Sequence, residues 1–240
     1  MKRLSGIPLL LSAAAAAQDP GTEPPPVTYP AVVRQSSTLA GFVPKGWVLE
    51  AKATGDLNRD KLPDAALVLH MNDPRNFVAG AFDPDRKYNS NPRMLVVVFA
   101  RKGGGYALAV ADHQLIPRLE NQNQDDPFDE VKIANGTLRL KLHVFMSAGG
   151  WWMGDFHYAF RWRDGGFKLI GYDRDGIRRN TGETDRVSIN YLTRTMLVES
   201  GNIDGSTDSS RRHRLPRKPL LDLTKIGDGL MFYPDEPDEP

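Results

Sequence analysis

The chain contains no cysteine among its 240 residues. Disulfide bonds, thiolate metal sites, cysteine nucleophiles and lipid anchoring at a cysteine are therefore excluded. Exported domains are often stabilised by disulfides. If this chain is exported, its fold must depend on its hydrophobic core and on some other kind of cross-link.

An excess of charge of one sign is also lacking. The sequence has 31 basic and 30 acidic residues, which gives a formal net charge of +1. Such a balance produces no overall field that would attract nucleic acid, so no nucleic-acid partner is expected. The patterns of nucleophilic, phosphate-binding and zinc-protease sites are missing as well. We therefore predict that the protein is not an enzyme.

No segment is apolar over the about 20 residues that a membrane-spanning helix needs, so no transmembrane segment is expected. Residues 1–17 have the features of a secretory signal peptide: Lys2 and Arg3, a short apolar run and a series of alanines from residue 13. Residues 18–30 contain five prolines and few residues that a core would bury, which predicts a disordered proline-rich tether. Together these features predict an exported protein of the periplasm.

Short runs of alternating apolar residues separated by turn residues occupy residues 31–200. They predict a single all-β domain of about ten antiparallel strands with little helix, either a β-sandwich, which is the preferred interpretation, or a partial propeller. Residues 94–99 are continuously apolar and predict a central strand covered on both faces. Residues 201–240 are basic, then acidic, and predict a partly disordered C-terminal extension.

The clearest strand pattern lies in residues 138–146 and 156–162, where apolar residues recur at every second position. A hairpin with Leu142 opposite Tyr158 would place all of these large apolar side chains on one face. The same register sets Arg139 opposite Arg161. Because like charges directly opposite each other are unfavourable, a register shifted by two residues stays open.

That register also brings His143 opposite His157 on the polar face of the hairpin. Two imidazoles across a hairpin are a partial ligand set for zinc, which requires three or four ligands. The only nearby carboxylate is that of Asp155. The preferred interpretation is therefore two solvent-facing histidines.

Residues 55–64 form an acidic loop between predicted strands at 47–53 and 65–71, which would pair as a hairpin. Oxygen ligands at alternate positions of a tight turn suit calcium, which takes six to eight oxygens. The predicted ligands are Asp56, Asn58, Asp60, the carbonyl of Leu62, and Asp64. Lys61 occupies the position where such loops usually need glycine for a positive φ. Because the protein ligands fill the coordination sphere, the predicted role is structural.

Residues 147–154 contain two adjacent tryptophans flanked by glycines. Successive side chains of a strand point to opposite faces, so both rings cannot face the core unless the loop folds over the domain. Exposed tryptophans are typical anchors of protein interfaces. We expect partner-binding residues here and at a glycine-rich turn before Tyr106, and the candidates are Ser147, Trp151, Trp152, Met153 and Tyr106.

The acidic loop, Gly-Asp-Leu-Asn-x-Asp-x-x-x-Asp followed by an apolar strand, resembles the calcium motif of integrin-type FG-GAP and VCBS repeats, here in a single copy. With residues 149–151, 158–162, 167–172 and 188–193, the chain is similar to a group of exported bacterial proteins. That group includes periplasmic immunity proteins of bacterium-killing type IV secretion systems. The resemblance implies a fold like that of lysozyme inhibitors and a peptidoglycan-hydrolase effector as partner.

Two functions follow as hypotheses. The first is a periplasmic immunity protein that binds and inhibits a peptidoglycan-cleaving, lysozyme-like effector and is stabilised by structural calcium. The alternative is a calcium-binding module of the cell envelope with a structural or carbohydrate-binding role. In both cases we expect a monomer or a weak dimer.

Overall fold

The computed structural model describes residues 23–80 and 83–234. The predicted signal peptide and the first part of the tether, residues 18–22, lie outside these ranges, as do residues 81–82 and 235–240. The described chain is all-β. Its fourteen strands belong to two large antiparallel sheets and one small one, and only three short 3-10 helices accompany them.

The first sheet has five strands in the order β1-β7-β6-β3-β2. Its strands are β1 (Gln35–Ser36), β2 (Trp47–Gly55), β3 (Asp64–Met71), β6 (Arg93–Ala100) and β7 (Tyr106–Asp112). As predicted, the acidic loop joins two paired strands, β2 and β3. The predicted central strand is also confirmed, because β6 lies between β3 and β7 and is buried along most of its length.

The second sheet has seven strands in sequential order from β8 to β14. They are β8 (Phe128–Ala134), β9 (Thr137–Val144), β10 (Trp152–Arg163), β11 (Gly166–Arg178), β12 (Glu183–Asn190), β13 (Thr195–Asn202) and β14 (Thr207–Arg214). β4 (Phe77–Ala79) and β5 (Lys87–Asn89) make the small sheet. The 3-10 helices are Leu39–Phe42, Pro74–Asn76 and Leu223–Lys225.

The two large sheets pack face to face, and the main core lies between them. Ala66, Val68, Leu95 and Val97 come from the five-stranded sheet, and they meet a larger set from the other sheet: Leu138, Leu140, Leu142, Phe156, Tyr158, Phe160 and Tyr172. This arrangement is the predicted antiparallel β-sandwich. On the outer face of the five-stranded sheet, a second cluster around Trp47, Leu67 and Val96 is covered by Tyr29, Val32 and Phe42. β3 and β6 are therefore buried on both faces.

The register of the β9–β10 hairpin differs from the first expectation by two residues. Leu142 lies opposite Phe156, and Leu140 lies opposite Tyr158. The predicted pairing of Leu142 with Tyr158 is wrong, and the shifted register that the opposed arginines left open is the one adopted. Because the shift is even, all large apolar side chains stay on the core face.

The shift separates the charges that the first register would have opposed. Arg139 lies opposite Ala159, and Arg161 lies opposite Thr137, whose hydroxyl accepts a hydrogen bond from the guanidinium at 3.3 Å. The adopted register thus avoids this arginine pair, although Arg139 lies opposite Lys132 on β8 and Arg161 lies opposite Lys168 on β11.

Residues 201–234 are part of the fold, in a region where the sequence predicted a partly disordered extension. Residues 207–214 form the edge strand β14, and the side chains of Leu215, Leu223 and Ile226 are buried in the main core. The hydroxyls of Tyr158 and Tyr172 donate hydrogen bonds to the carbonyls of Gly229 and Phe232. Residues 215–233, the C-terminal segment, thus cover the core beside β10 and β11.

The described part of the predicted tether also contacts the domain. The ring of Tyr29 lies 4.2 Å from that of His113 and 6.0 Å from that of Trp47, measured between centroids. The carbonyl of Pro25 accepts a hydrogen bond from Arg118 at 2.8 Å. Within residues 23–80 and 83–234, no helix is long and apolar enough to cross a membrane.

Candidate functional site

The acidic loop is closed by hydrogen bonds from its own backbone. The Asp56 carboxylate accepts three of them, from the N–H groups of Arg59 at 2.6 Å, Asp60 at 3.2 Å and Lys61 at 2.9 Å. The Asp60 carboxylate accepts from the N–H of Leu62 at 2.8 Å. The loop therefore has a defined shape that its own polar side chains impose.

Asp64 ends the loop and is completely buried. Its carboxylate accepts from the N–H groups of Leu57 at 2.8 Å and Asn58 at 3.3 Å, and from that of Ala100 at 2.9 Å on strand β6. Burial is the main cause that raises the pKa of Asp64 above its usual value, and the three N–H donors oppose that shift. Asp64 thus ties the loop to the neighbouring strand.

The missing glycine does not prevent the turn. Lys61 has φ = 69° and Arg59 has φ = 67°, so two long side chains stand in the left-handed region. That conformation costs a non-glycine residue of the order of 1 kcal/mol. The loop thus adopts at Lys61 the positive φ for which glycine was expected.

The acidic loop offers carboxylate and amide oxygens, the ligand type that calcium takes, and the side chains of Asp56, Asn58 and Asp60 are partly exposed. They do not form a ready-made cage. In the part of the chain that the structure describes, no three acidic or histidine side chains converge as a metal site. Asp64 in particular uses both of its oxygens for backbone N–H groups.

The second candidate region is the aromatic tip, residues 147–154, at the opposite end of β9 from the acidic loop. The Trp151 side chain is 64% exposed. Below it, the Arg179 guanidinium donates to the carbonyls of Met146 at 2.5 Å and Gly150 at 2.7 Å. The same guanidinium lies 4.6 Å from the ring centroid of Phe145 and 5.9 Å from that of Trp151. Arg179 therefore fixes the tip in one conformation.

A second set of bonds joins the tip to residues 123–125. Ser147 donates to the carbonyl of Asn123 through its N–H at 2.7 Å and through its hydroxyl at 3.2 Å. The N–H of Asp125 donates to the carbonyl of Phe145 at 3.0 Å. Ser147 is thus a supporting residue of the tip.

Trp152 begins β10 and faces the inner side of the sheet. Its indole ring lies directly over Gly154 and Gly176: a Cβ at Gly176 would stand 2.3 Å from the ring. The indole N–H donates to Asp185 at 2.7 Å, and Arg174 donates to the other oxygen of the same carboxylate at 2.9 Å. The two tryptophans therefore differ: Trp151 is exposed to solvent, and Trp152 is held against the inner face of the sheet.

The remaining candidates lie apart from the exposed tryptophan. Met153 points to the outer face of the sheet and lines a cavity of about 570 Å³ there. Tyr106 begins β7 in the other sheet and packs against the second hydrophobic cluster. The structure does not bring Tyr106 together with the aromatic tip.

The two histidines do not face each other. His143 lies opposite Asp155, and His157 lies opposite Lys141. His157 Nε2 is 3.9 Å from a carboxylate oxygen of Asp175. The pairing that would have begun a zinc site depended on the rejected register, and both imidazoles lie on the polar outer face.

Sequence reasoning missed Arg179, Arg174 and Asp185, which hold the two tryptophans. Arg179 and Asp185 lie 29 to 33 positions along the chain from the groups they bond, Arg174 lies 11 positions from Asp185, and no local pattern marks any of them. Gly154 and Gly176 did carry a signal. A glycine inside a strand often marks the close approach of another group, here the Trp152 ring.

The fold and these two loops define an antiparallel β-sandwich with a self-bonded acidic loop at one end and a fixed aromatic tip at the other. No family model matches the chain, and neither the curated proteins nor the solved structures include a match.

Proposed function

We propose that this chain is a periplasmic immunity protein that inhibits a peptidoglycan-cleaving, lysozyme-like effector by inserting the aromatic tip into its substrate cleft. The observation that carries the proposal is the exposed ring of Trp151 on a loop that Arg179 holds rigid. Single exposed apolar side chains are common on protein surfaces, but tryptophan is enriched at interface hot spots, and Trp151 stands on a loop that other residues support.

The rigidity of the tip favours tight binding. Ordering a loop on association costs free energy, and a loop that is already fixed avoids that cost. Arg179 and the two bonds from Ser147 to Asn123 supply this preorganisation. Insertion of a rigid loop also needs no catalytic group in the inhibitor, in agreement with the proposal that the protein is not an enzyme.

We further propose that calcium binds the acidic loop through Asp56, Asn58, Asp60 and the carbonyl of Leu62, with Asp64 as the buried anchor. The ion would neutralise the crowded carboxylates and cross-link a hairpin in a chain without cysteine. Few formal charges surround the ion, so its dissociation constant should lie in the range of roughly 10⁻⁴ to 10⁻³ M. Its role is stability, since the acidic loop and the aromatic tip lie at opposite ends of β9.

The test uses the mature chain and purified cell-wall sacculi. A glycan-cleaving enzyme encoded beside the gene is mixed with the protein, and the release of soluble wall fragments is followed. We expect inhibition at a one-to-one ratio and its loss in Trp151→Ala. Leu192→Ala, which removes an exposed apolar side chain from the turn after β12, is the matched control. The proposal fails if the protein neither binds the enzyme nor slows wall cleavage.

A further inference from the structure

A cavity of about 830 Å³ lies over the inner face of the seven-stranded sheet, in a region that the five-stranded sheet does not cover. Trp152, Phe156, Arg174 and Asp185 form its floor, and the C-terminal segment and residues 117–124 contribute to its walls. Its volume lies within the range of about 300–1,000 Å³ that is usual for small-molecule sites. The exposed Trp151 does not line it.

The floor holds one aromatic ring in a fixed position. The Trp152 indole rests on Gly154 and Gly176, and its N–H is bonded to Asp185. One side of the ring is therefore covered by backbone, the Arg174 guanidinium lies 5.9 Å from the ring centroid, and the part-exposed remainder lines the cavity. A fixed, flat ring beside polar groups is suited to a ligand that has an apolar face and a polar edge.

The charged groups that line the cavity favour ligands that donate hydrogen bonds. Its arginines are paired with carboxylates: Arg174 pairs with Asp185 at 2.9 Å, although its buried Nε has no hydrogen-bond partner, and Arg178 pairs with Glu183 at 3.7 Å. Each of the three guanidinium nitrogens of Arg118 donates a hydrogen bond to an oxygen of the protein.

The acidic groups of the cavity are in the opposite situation. Glu120, Asp208 and Asp228 line the cavity and are exposed. Within residues 23–80 and 83–234, none of the three forms an ion pair, and Asp228 accepts a hydrogen bond from the N–H of Leu230 at 2.8 Å. Their carboxylates repel an anionic ligand and accept hydrogen bonds from hydroxyl, amide or ammonium groups.

We propose that this cavity binds a short oligosaccharide of neutral or amino sugars, with one pyranose ring stacked on Trp152. The C–H face of a pyranose is apolar and its hydroxyl edge donates hydrogen bonds, so it matches both the ring and the exposed carboxylates. Nucleotides and phosphorylated or uronic sugars are disfavoured by the same carboxylates. The site does not include the exposed Trp151, and it is independent of the proposed inhibition.

The test is a titration of the mature chain with a β-1,4-linked N-acetylglucosamine tetramer, followed by calorimetry and by the indole N–H resonance of Trp152. We expect binding that shifts this resonance. Gly176→Ala, whose new methyl group would displace the ring, should weaken binding at least tenfold. Gly171→Ala on the same strand is the matched control, because a methyl group has room there, and it should change affinity less than twofold.

Two further arms separate this proposal from others. Trp151→Ala should leave sugar binding unchanged, whereas it abolishes the proposed inhibition. Asp208→Asn, at an exposed position that cannot affect the core, should weaken binding of the tetramer several-fold, and a uronic-acid tetramer should bind at least tenfold more weakly than the neutral one. Absence of tetramer binding, or equal affinities of Gly176→Ala and Gly171→Ala, would overturn the proposal.

Discussion

The acidic loop and the aromatic tip both contain residues that the sequence marks as candidate binding residues. Those of the acidic loop are bonded within the chain, whereas the tip leaves a tryptophan ring exposed. In the acidic loop, Asp56, Asp60 and Asp64 accept hydrogen bonds from backbone N–H groups within the loop or on β6. In the aromatic tip, Arg179 and Ser147 hold the loop from below and leave the Trp151 ring in solvent.

The difference separates a cross-link from a binding surface. Polar atoms that form hydrogen bonds within the chain stabilise the fold, and they have little hydrogen-bonding capacity left for a partner. An exposed apolar ring on a rigid loop contributes favourable free energy only when a partner binds and covers the ring. The contrast predicts that substitutions in the acidic loop change stability, and that those at the tip change binding.

The largest effect is expected for Asp64→Ala. This change leaves three backbone N–H groups without an acceptor, and each buried donor left unsatisfied costs about 1–3 kcal/mol. We expect the free energy of unfolding to fall by about 3 kcal/mol or more, measured by urea unfolding in the presence of chelator.

Asp56→Ala is the control for burial. Its carboxylate also accepts three backbone N–H groups, but it is partly exposed, so water replaces it and the cost should be about 1 kcal/mol. Equal losses for the two variants would contradict the role assigned to the buried anchor.

The next effect tests what makes the tip rigid. Arg179→Ala removes two hydrogen bonds to carbonyls and the contacts with Phe145 and Trp151. We expect a stability loss of about 2 kcal/mol and faster amide hydrogen exchange at Ser147. Arg179→Lys keeps the charge without the planar fork and should restore only part of the protection. Unchanged exchange in both variants would mean that the tip is fixed by other contacts.

Calcium should affect only one of the two regions. If the dissociation constant lies in the proposed range, about 10 mM calcium should stabilise the fold by roughly 1.4–2.7 kcal/mol. Asp60→Ala should abolish this increase, whereas Trp151→Ala should retain it. A melting temperature that does not respond to calcium in the unmodified chain would remove the metal from the proposal.

Much of the fold could be predicted because the apolar pattern has period two. That pattern marks which face of each strand is buried, and it predicted the sandwich, whereas the continuously apolar run 94–99 predicted the central position of β6. It does not determine register, since a shift of two residues preserves the pattern. The positions of Arg139 and Arg161 disfavour one of the two registers, but they become informative only once the strands are paired.

The C-terminal segment was misread for a related reason. Leu215, Leu223, Ile226 and Phe232 are spaced without a regular period, so the sequence resembles a tail. These side chains pack against the main core. The C-terminal segment is also held by hydrogen bonds from tyrosine hydroxyls of β10 and β11 to its carbonyls. The ligand types of the acidic loop were readable, but the orientation of Asp64 toward β6 depends on a strand 36 residues away.

A smaller, pH-dependent effect is expected at His70, at the end of β3 away from the acidic loop. Burial, and then the charge of Arg93, lower the pKa of His70 below 6.5. The ring lies 3.0 Å from the Asn91 carbonyl and 3.7 Å from Glu50, and Asp126 is the other nearby charge. The unfolded chain therefore takes up the proton first as the pH falls.

The sign follows from this order of protonation. The contribution of His70 to stability is present above the unfolded pKa and is lost as the pH falls through the lower folded pKa. We expect the free energy of unfolding to decrease from about pH 7 to about pH 5, and His70→Gln to flatten that slope. His157→Gln, at an exposed position, is the control. A slope that His70→Gln leaves unchanged would assign the pH dependence to other groups.

The smallest effect on stability, and the largest on the proposed function, is expected for Trp151→Ala. A side chain that is 64% exposed buries little area, so the free energy of unfolding should change by less than about 0.5 kcal/mol. An interface anchor is worth about 2 kcal/mol or more, so enzyme binding should weaken by about 30-fold or more. If Trp151→Ala instead unfolded the domain and left enzyme binding intact, the tip would be the structural element, and the comparison with the acidic loop would have to be reversed.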